Sequence, residues 1–177
     1  MLPGRNLRTR GRASTAGRIP HTTSRTEGQG SPLTIEYRYE EAWNCVLIRV
    51  SGAMQPDEYR LMIRQQSADS RIRPGHLRFN DTRRVNEIPD ADTTRAFAQL
   101  SNEFERMQPM QRSAILVAGE TLFGMARLFQ AHRGESDEKI GVFQGLAQAF
   151  EWLGLPADAP DPFSDEAWEP EWSSAGL

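Results

Sequence analysis

Residues 114–153 read AILVAGETLFGMARLFQAHRGESDEKIGVFQGLAQAFEWL, and they constrain the fold more than any other stretch because two apolar runs of strand length alternate there with two helical periods. Ala114 to Ala118 is a continuous apolar run ending at Gly119, the pattern of a parallel strand buried on both faces. Strand, helix, strand and helix in that order predict an α/β domain.

Charge is uneven along the 177 residues. Residues 1–32 carry six Arg and one Glu, residues 156–177 carry six acids and no base, and the body between them is left at −2. A near-neutral body argues against a dedicated nucleic-acid surface, which concentrates Lys and Arg on one face. The leader 1–32 holds almost no large apolar side chains and is expected to be disordered. Residues 156–177 are acidic and interrupted by Pro, with Phe163, Trp168 and Trp172 interspersed, and are expected to form a flexible acidic tail that docks by its aromatics. One domain is then expected over 33–155. Cys45 is the only cysteine, so no internal disulfide can form, and it lies in a strand pattern where a thiol acts as a small buried hydrophobe. No apolar run reaches the ~18–20 residues of a membrane span, and the N-terminus lacks the apolar core of a secretory signal, which predicts a cytoplasmic protein.

The body reads as a sheet with one wet face. Ile35, Tyr37 and Tyr39 alternate with Glu36, Arg38 and Glu40, and a turn at Glu41-Ala42 predicts a hairpin with the run Trp43 to Gly52. Within that run Val46, Ile48 and Val50 share one face and Cys45, Leu47 and Arg49 the other; a third strand, His76 to Asp81, sets Leu77 and Phe79 against His76, Arg78 and Asn80. Four helices supply cover: Tyr59, Met62 and Ile63 after Pro56; Phe97, Leu100, Phe104 and Met107, capped by Asp90 or Asp92; Leu122, Met125, Ala126 and Phe129; and Leu146, Ala149, Phe150 and Leu153, stopped by Gly154. The expected architecture is a two-layer α/β fold, with a mixed, mostly parallel sheet, an N-terminal hairpin strand and four helices on one face.

The phrases Val46-Leu47-Ile48-Arg49-Val50-Ser51-Gly52, His76-Leu77-Arg78-Phe79-Asn80-Asp81-Thr82-Arg83, Phe123-Gly124-Met125-Ala126-Arg127, and Val142-Phe143 running to Ala149-Phe150-Glu151-Trp152-Leu153 resemble, in order and spacing, the small bacterial SpoIIAA-like proteins of the STAS superfamily. Their folds are related to the lipid-transfer CRAL-TRIO domains. The resemblance covers about residues 34–154. It implies a β-α superhelix with helices on one face of a mixed sheet, a regulatory or protein-interaction role and no enzyme activity. The superfamily's anti-sigma factor antagonists carry a phosphorylatable Ser in an Asp-Ser context after the third strand. Here Asp81 is followed by Thr82, and no Ser lies between Asp81 and Asp90, which puts phosphate-driven partner switching in doubt.

Candidate sites follow from the expected topology. Ligands of open parallel sheets sit beyond the carboxyl ends of the strands, which gathers Asp81, Thr82 and Arg83 with Gly119, Glu120 and Thr121, and Arg127 one turn into the next helix. Backbone N–H groups and arginines there could hold an anion or a small molecule or lipid, no cofactor being implied. The plain structural alternative is that Asp81 braces its own loop and Arg127 pairs with a surface acid. The three His residues share no metal-ligand spacing, and no base partners a nucleophile. Arg71, Arg73, Arg78, Arg83 and Arg84 form a basic cluster suited to an acidic partner or to the chain's own acidic tail. On the expected wet face, Trp43, Leu47, Arg49 and Arg78 are candidates for self-association or for docking a protein partner.

Overall fold

A computed structural model describes residues 34–53 and 55–176; the basic leader 1–32 lies outside the described residues. Strand β1 (Thr34–Glu40) ends in a 3-10 turn, Glu41–Trp43, where Glu40 accepts from the Ala42 N–H and Asn44 takes a left-handed conformation (φ 46°) to start β2 (Cys45–Ala53). The hairpin register sets Ile35 against Val50 and Tyr37 against Ile48. Helix α1 (Pro56–Ala68) opens on a proline whose missing N–H would have had no helical partner, and leads to β3 (His76–Glu87). Asp90 caps α2 (Ala91–Met107) by accepting from the Thr93 N–H at 2.8 Å. Then come β4 (Met110–Leu116), α3 (Glu120–His132), a 3-10 segment over Gly134–Lys139, β5 (Ile140–Phe143) and α4 (Leu146–Leu153). Gly154 stops α4 in the left-handed region (φ 71°) that a side chain would resist. The chain closes with β6 (Trp172–Ser173), which adds antiparallel to β1.

The protein is thus α/β, with a six-stranded, mixed, mostly parallel sheet ordered β5-β4-β3-β2-β1-β6 and four helices. The strands β2 to β5 run parallel, as their helical crossovers require.

The placement of the cover differs from the expected one-sided arrangement. Val46, Ile48 and Val50 bury against Met62 and Ile63 of α1 and Phe104 of α2, on the face that α1, α2 and α3 occupy. The opposite face, with Cys45, Leu47, Leu77, Phe79, Ala114 and Leu116, packs against Ala149, Phe150 and Leu153 of α4 and against Phe163 and Trp168. No wet face is left there. Leu47 is fully buried, and Trp43 is half-buried with its ring 6.1 Å from that of Phe150, so neither serves as an exposed docking residue. Arg49 is also largely covered, paired with Glu36 at 2.8 Å and lying 4.8 Å over the Trp168 ring, while Arg78 is buried on the helix side. Alternation misassigned these residues because a polar side chain pointing at a buried partner leaves the same periodic trace as one pointing at water.

The segment after residue 155 is a part of the fold rather than a flexible tail. Phe163 stacks edge-on to Phe79 at 5.0 Å, and Trp168 sits between Arg38 and Arg49 with its Nε1–H donating to Glu36 at 3.0 Å. The acids of the segment meet the expected arginines: Asp161 pairs with Arg83, Asp165 with Arg84 and Arg49, and Glu171 with Arg71. Most of these pairs are exposed enough that each contributes ~0–1 kcal/mol. Burying two aromatic side chains contributes more, ~2–3 kcal/mol each. Apolar packing therefore holds the segment, and charge sets its register.

Candidate functional site

The expected site at the strand ends is only partly assembled. Pairing of Asp81 with Leu116 does bring 81–83 beside the end of β4 and residues 117–121, but β3 runs on to Glu87, so 81–83 lie within a strand and not beyond its carboxyl end. The Asp81 carboxylate, however, accepts from the Arg83 N–H at 3.0 Å and from its Nε and Nη2 at 2.9 and 2.8 Å, so it is taken up by Arg83 within β3 rather than bracing a loop. Arg83 then spans to Asp161 at 3.0 Å, and its pKa is raised by these hydrogen bonds, Asp81 first. Thr82 is buried, with its hydroxyl donating to the Leu116 carbonyl at 2.9 Å, and that geometry hides it from a modifying enzyme. Gly119 (φ 74°) leads into α3 without a side-chain cap, Glu120 accepts from Gln144, Thr121 is exposed, and Arg127 reaches Gln130 on its own helix. Arg127 and the Asp81–Arg83 pair therefore do not converge.

A more informative place lies between the sheet and α1–α3. A cavity of about 100 Å³, partly open to solvent, is lined on the sheet side by Ile48, Arg78, Asn80, Thr82, Ser113 and Ile115 and on the helix side by residues of α1, α2 and α3, including Met62, Phe97, Leu122, Ala126 and Phe129. Asn80 and Ile115 stand in central strands yet remain only half-buried because the helices stand off from them. The α3 stripe expected to be plain core splits accordingly: Leu122 and Ala126 are buried, while Met125 and Phe129 are half-buried at the cavity wall. On α2, Phe97 and Phe104 face inward, but Met107 is 67% exposed.

Arg78 dominates the electrostatics of this cavity. Its residue is 3% exposed, its guanidinium lies 4.8 Å over the Phe104 ring, and its Nη2 donates to Gln66 Oε1 at 2.9 Å. Its Nε–H and the Gln66 Nε2 are buried without an acceptor, and among the described residues no carboxylate forms an ion pair with it. Burial pulls the Arg78 pKa down, and the nearby positive charge of Arg133 pulls in the same direction. Arg133, at the end of α3, is also buried and donates Nη2 to Glu105, which is shared with Lys139 at 2.8 Å; Arg133 Nε and Nη1 have no acceptor. Glu105 is thus shared by one buried arginine, Arg133, and a lysine, and Arg78 stands nearby without an ion pair among the described residues. His76, on the same face of β3, donates Nδ1–H to the Arg73 carbonyl and is held neutral, its pKa lowered to about 4 by burial and then by the Arg78 charge.

Spacing arguments missed this cluster. The available signal was a lone Arg between Leu77 and Phe79 in a central strand, with Gln66 on the apolar side of α1. Cys45 is buried, and desolvation raises its thiol pKa, so it is no nucleophile in its resting environment. Among the described residues, no group of three His, Cys, Asp or Glu side chains could hold a metal ion, and no helix is long and apolar enough to cross a membrane. Fold and cavity define the class as an α/β protein with an interior pocket. No family model matches the chain, and no curated protein matches it.

Proposed function

We propose that this protein is a non-enzymatic small-molecule-binding module whose ligand occupies the cavity between the sheet and α1–α3. The carrying observation is that cavity itself, a mostly apolar recess whose wall carries, among the described residues, one charged side chain, Arg78, and a few hydroxyl and amide groups. Such a composition is the usual make-up of a ligand pocket, in which apolar area supplies affinity and sparse polar groups fix orientation. The SpoIIAA-like resemblance, with its bacterial and cytoplasmic setting and its regulatory character, is part of the proposal, since a bound ligand between sheet and helices offers a way to bias how α2 and α3 sit. Docking of a partner on Trp43 and Leu47 is not part of it, because α4 and the C-terminal segment cover that face.

A methyl-detected NMR titration with benzyl alcohol tests the reading. Shift changes should concentrate on the methyls of Ile48, Ile115, Leu122 and Ala126, and Ala126→Leu, which intrudes into the cavity, should weaken them. Absence of shifts up to the solubility limit, or changes spread evenly over the surface, would overturn it.

A further inference from the structure

Resting on that reading, we infer that the ligand is a small organic acid, a monocarboxylate whose charged end meets Arg78 while a short apolar body lies between Ile115 and α3.

The first ground is charge. An arginine taken out of water costs several kcal/mol unless a partner compensates it. Arg78 has a single side-chain hydrogen-bond partner, the neutral Gln66; Glu105 attracts it only from a distance, being hydrogen-bonded to Arg133 and Lys139, and Arg133 adds repulsion. An anion in the cavity would supply the missing compensation. The second ground is geometry. Arg78 lines the cavity and keeps a buried Nε–H without an acceptor, and the planar fork of a guanidinium matches the two oxygens of a planar carboxylate.

Number and size narrow the class. Among the described residues Arg78 is the only charged side chain on the cavity wall, so a dianion such as a phosphate monoester would carry one unmatched charge into an apolar recess. A closed cavity of ~150 Å³ takes a benzene ring, so the ~100 Å³ here encloses somewhat less than one ring. Because the cavity opens to solvent, a single phenyl body can still seat with one edge at the mouth, whereas a long-chain fatty acid far exceeds it.

Calorimetric titration of the full chain with benzoate and with its neutral counterpart benzyl alcohol separates this inference from the broader reading. Benzoate should bind at least ~10-fold more tightly than benzyl alcohol to the wild type. In Arg78→Met, benzoate affinity should fall at least ~10-fold, benzyl alcohol should bind as well as before or better, and the melting temperature should hold or rise, because an apolar replacement of a buried unpaired charge is often stabilising. Benzyl alcohol binding as tightly as benzoate to the wild type, or benzoate affinity surviving Arg78→Met, would overturn the carboxylate while leaving the pocket intact. Failure of both probes to bind the wild type would overturn the pocket as well. Palmitate binding more tightly than benzoate would overturn the size limit. Should Arg78→Met fail to fold, Arg78→Gln carries the same comparison.

Discussion

His76 illustrates how a residue's surroundings become a measurable property of the molecule. An unfolded imidazole takes up its proton near pH 6.5. The folded one, buried beside Arg78, resists until about pH 4. Between those values the unfolded state binds the extra proton, so stability is fully present above pH 6.5 and drains away as pH falls towards 4. Urea unfolding at pH 7 and pH 4.5 should differ by about 2–3 kcal/mol in the wild type on this account. His76→Gln should flatten most of that difference, and an equally steep dependence in the variant would place its cause elsewhere. Trp168 makes a complementary case, because its ring joins Phe163 to the arginines Arg38 and Arg49. Phe163→Ala should cost ~3–5 kcal/mol, a core-like loss that a flexible tail would not show. Thermal unfolding with a loss below ~1 kcal/mol would mean the aromatic contacts are incidental.

At the scale of elements, the C-terminal segment behaves as a cover for the sheet face that α4 alone does not fill. Removing residues 156–177 should uncover Leu47, Phe79 and Leu116, take from Arg84 its acidic partner Asp165, and leave Arg49 and Arg83 with Glu36 and Asp81 alone. The shortened chain should melt well below the wild type or aggregate. An unchanged melting temperature would return the segment to the status of a tail. Element order, the hairpin, the Asp90 cap and the parallel run from β2 to β5 were legible from apolar periods and stop signals, because those depend on residues adjacent in the chain. What lay on each face was not legible. Leu77 and Phe79 look inward in any alternating strand, but nothing local tells that Arg78 faces Gln66 and Phe104 rather than water. Acidic residues among aromatics read as a flexible tail able to dock, with the arginines as one candidate partner, but nothing local shows that Phe163 and Trp168 complete the core of one sheet face. The Asp81–Arg83 contact was within reach, since an Asp side chain readily bonds the backbone two residues on, although here it does so inside β3.

Taken as a whole, the molecule spends both faces of its sheet differently. One face is a close-packed aromatic core under α4 and the C-terminal segment, with Phe79, Phe150 and Phe163 in edge-on contact. The other leaves room between the sheet and α1–α3, and there a buried cation stands, among the described residues, without a carboxylate in ion-pair contact. Interiors rarely keep such a group for stability, since apolar side chains of similar volume do as well or better. Its retention makes sense when a ligand completes it. The most direct measurement is a crystal structure of the full chain grown with benzoate. The account predicts the ring between Ile115 and Phe129, with a carboxylate oxygen within hydrogen-bonding distance of the Arg78 guanidinium. An empty cavity at saturating benzoate, or a ring bound with its carboxylate turned away from Arg78, would contradict it.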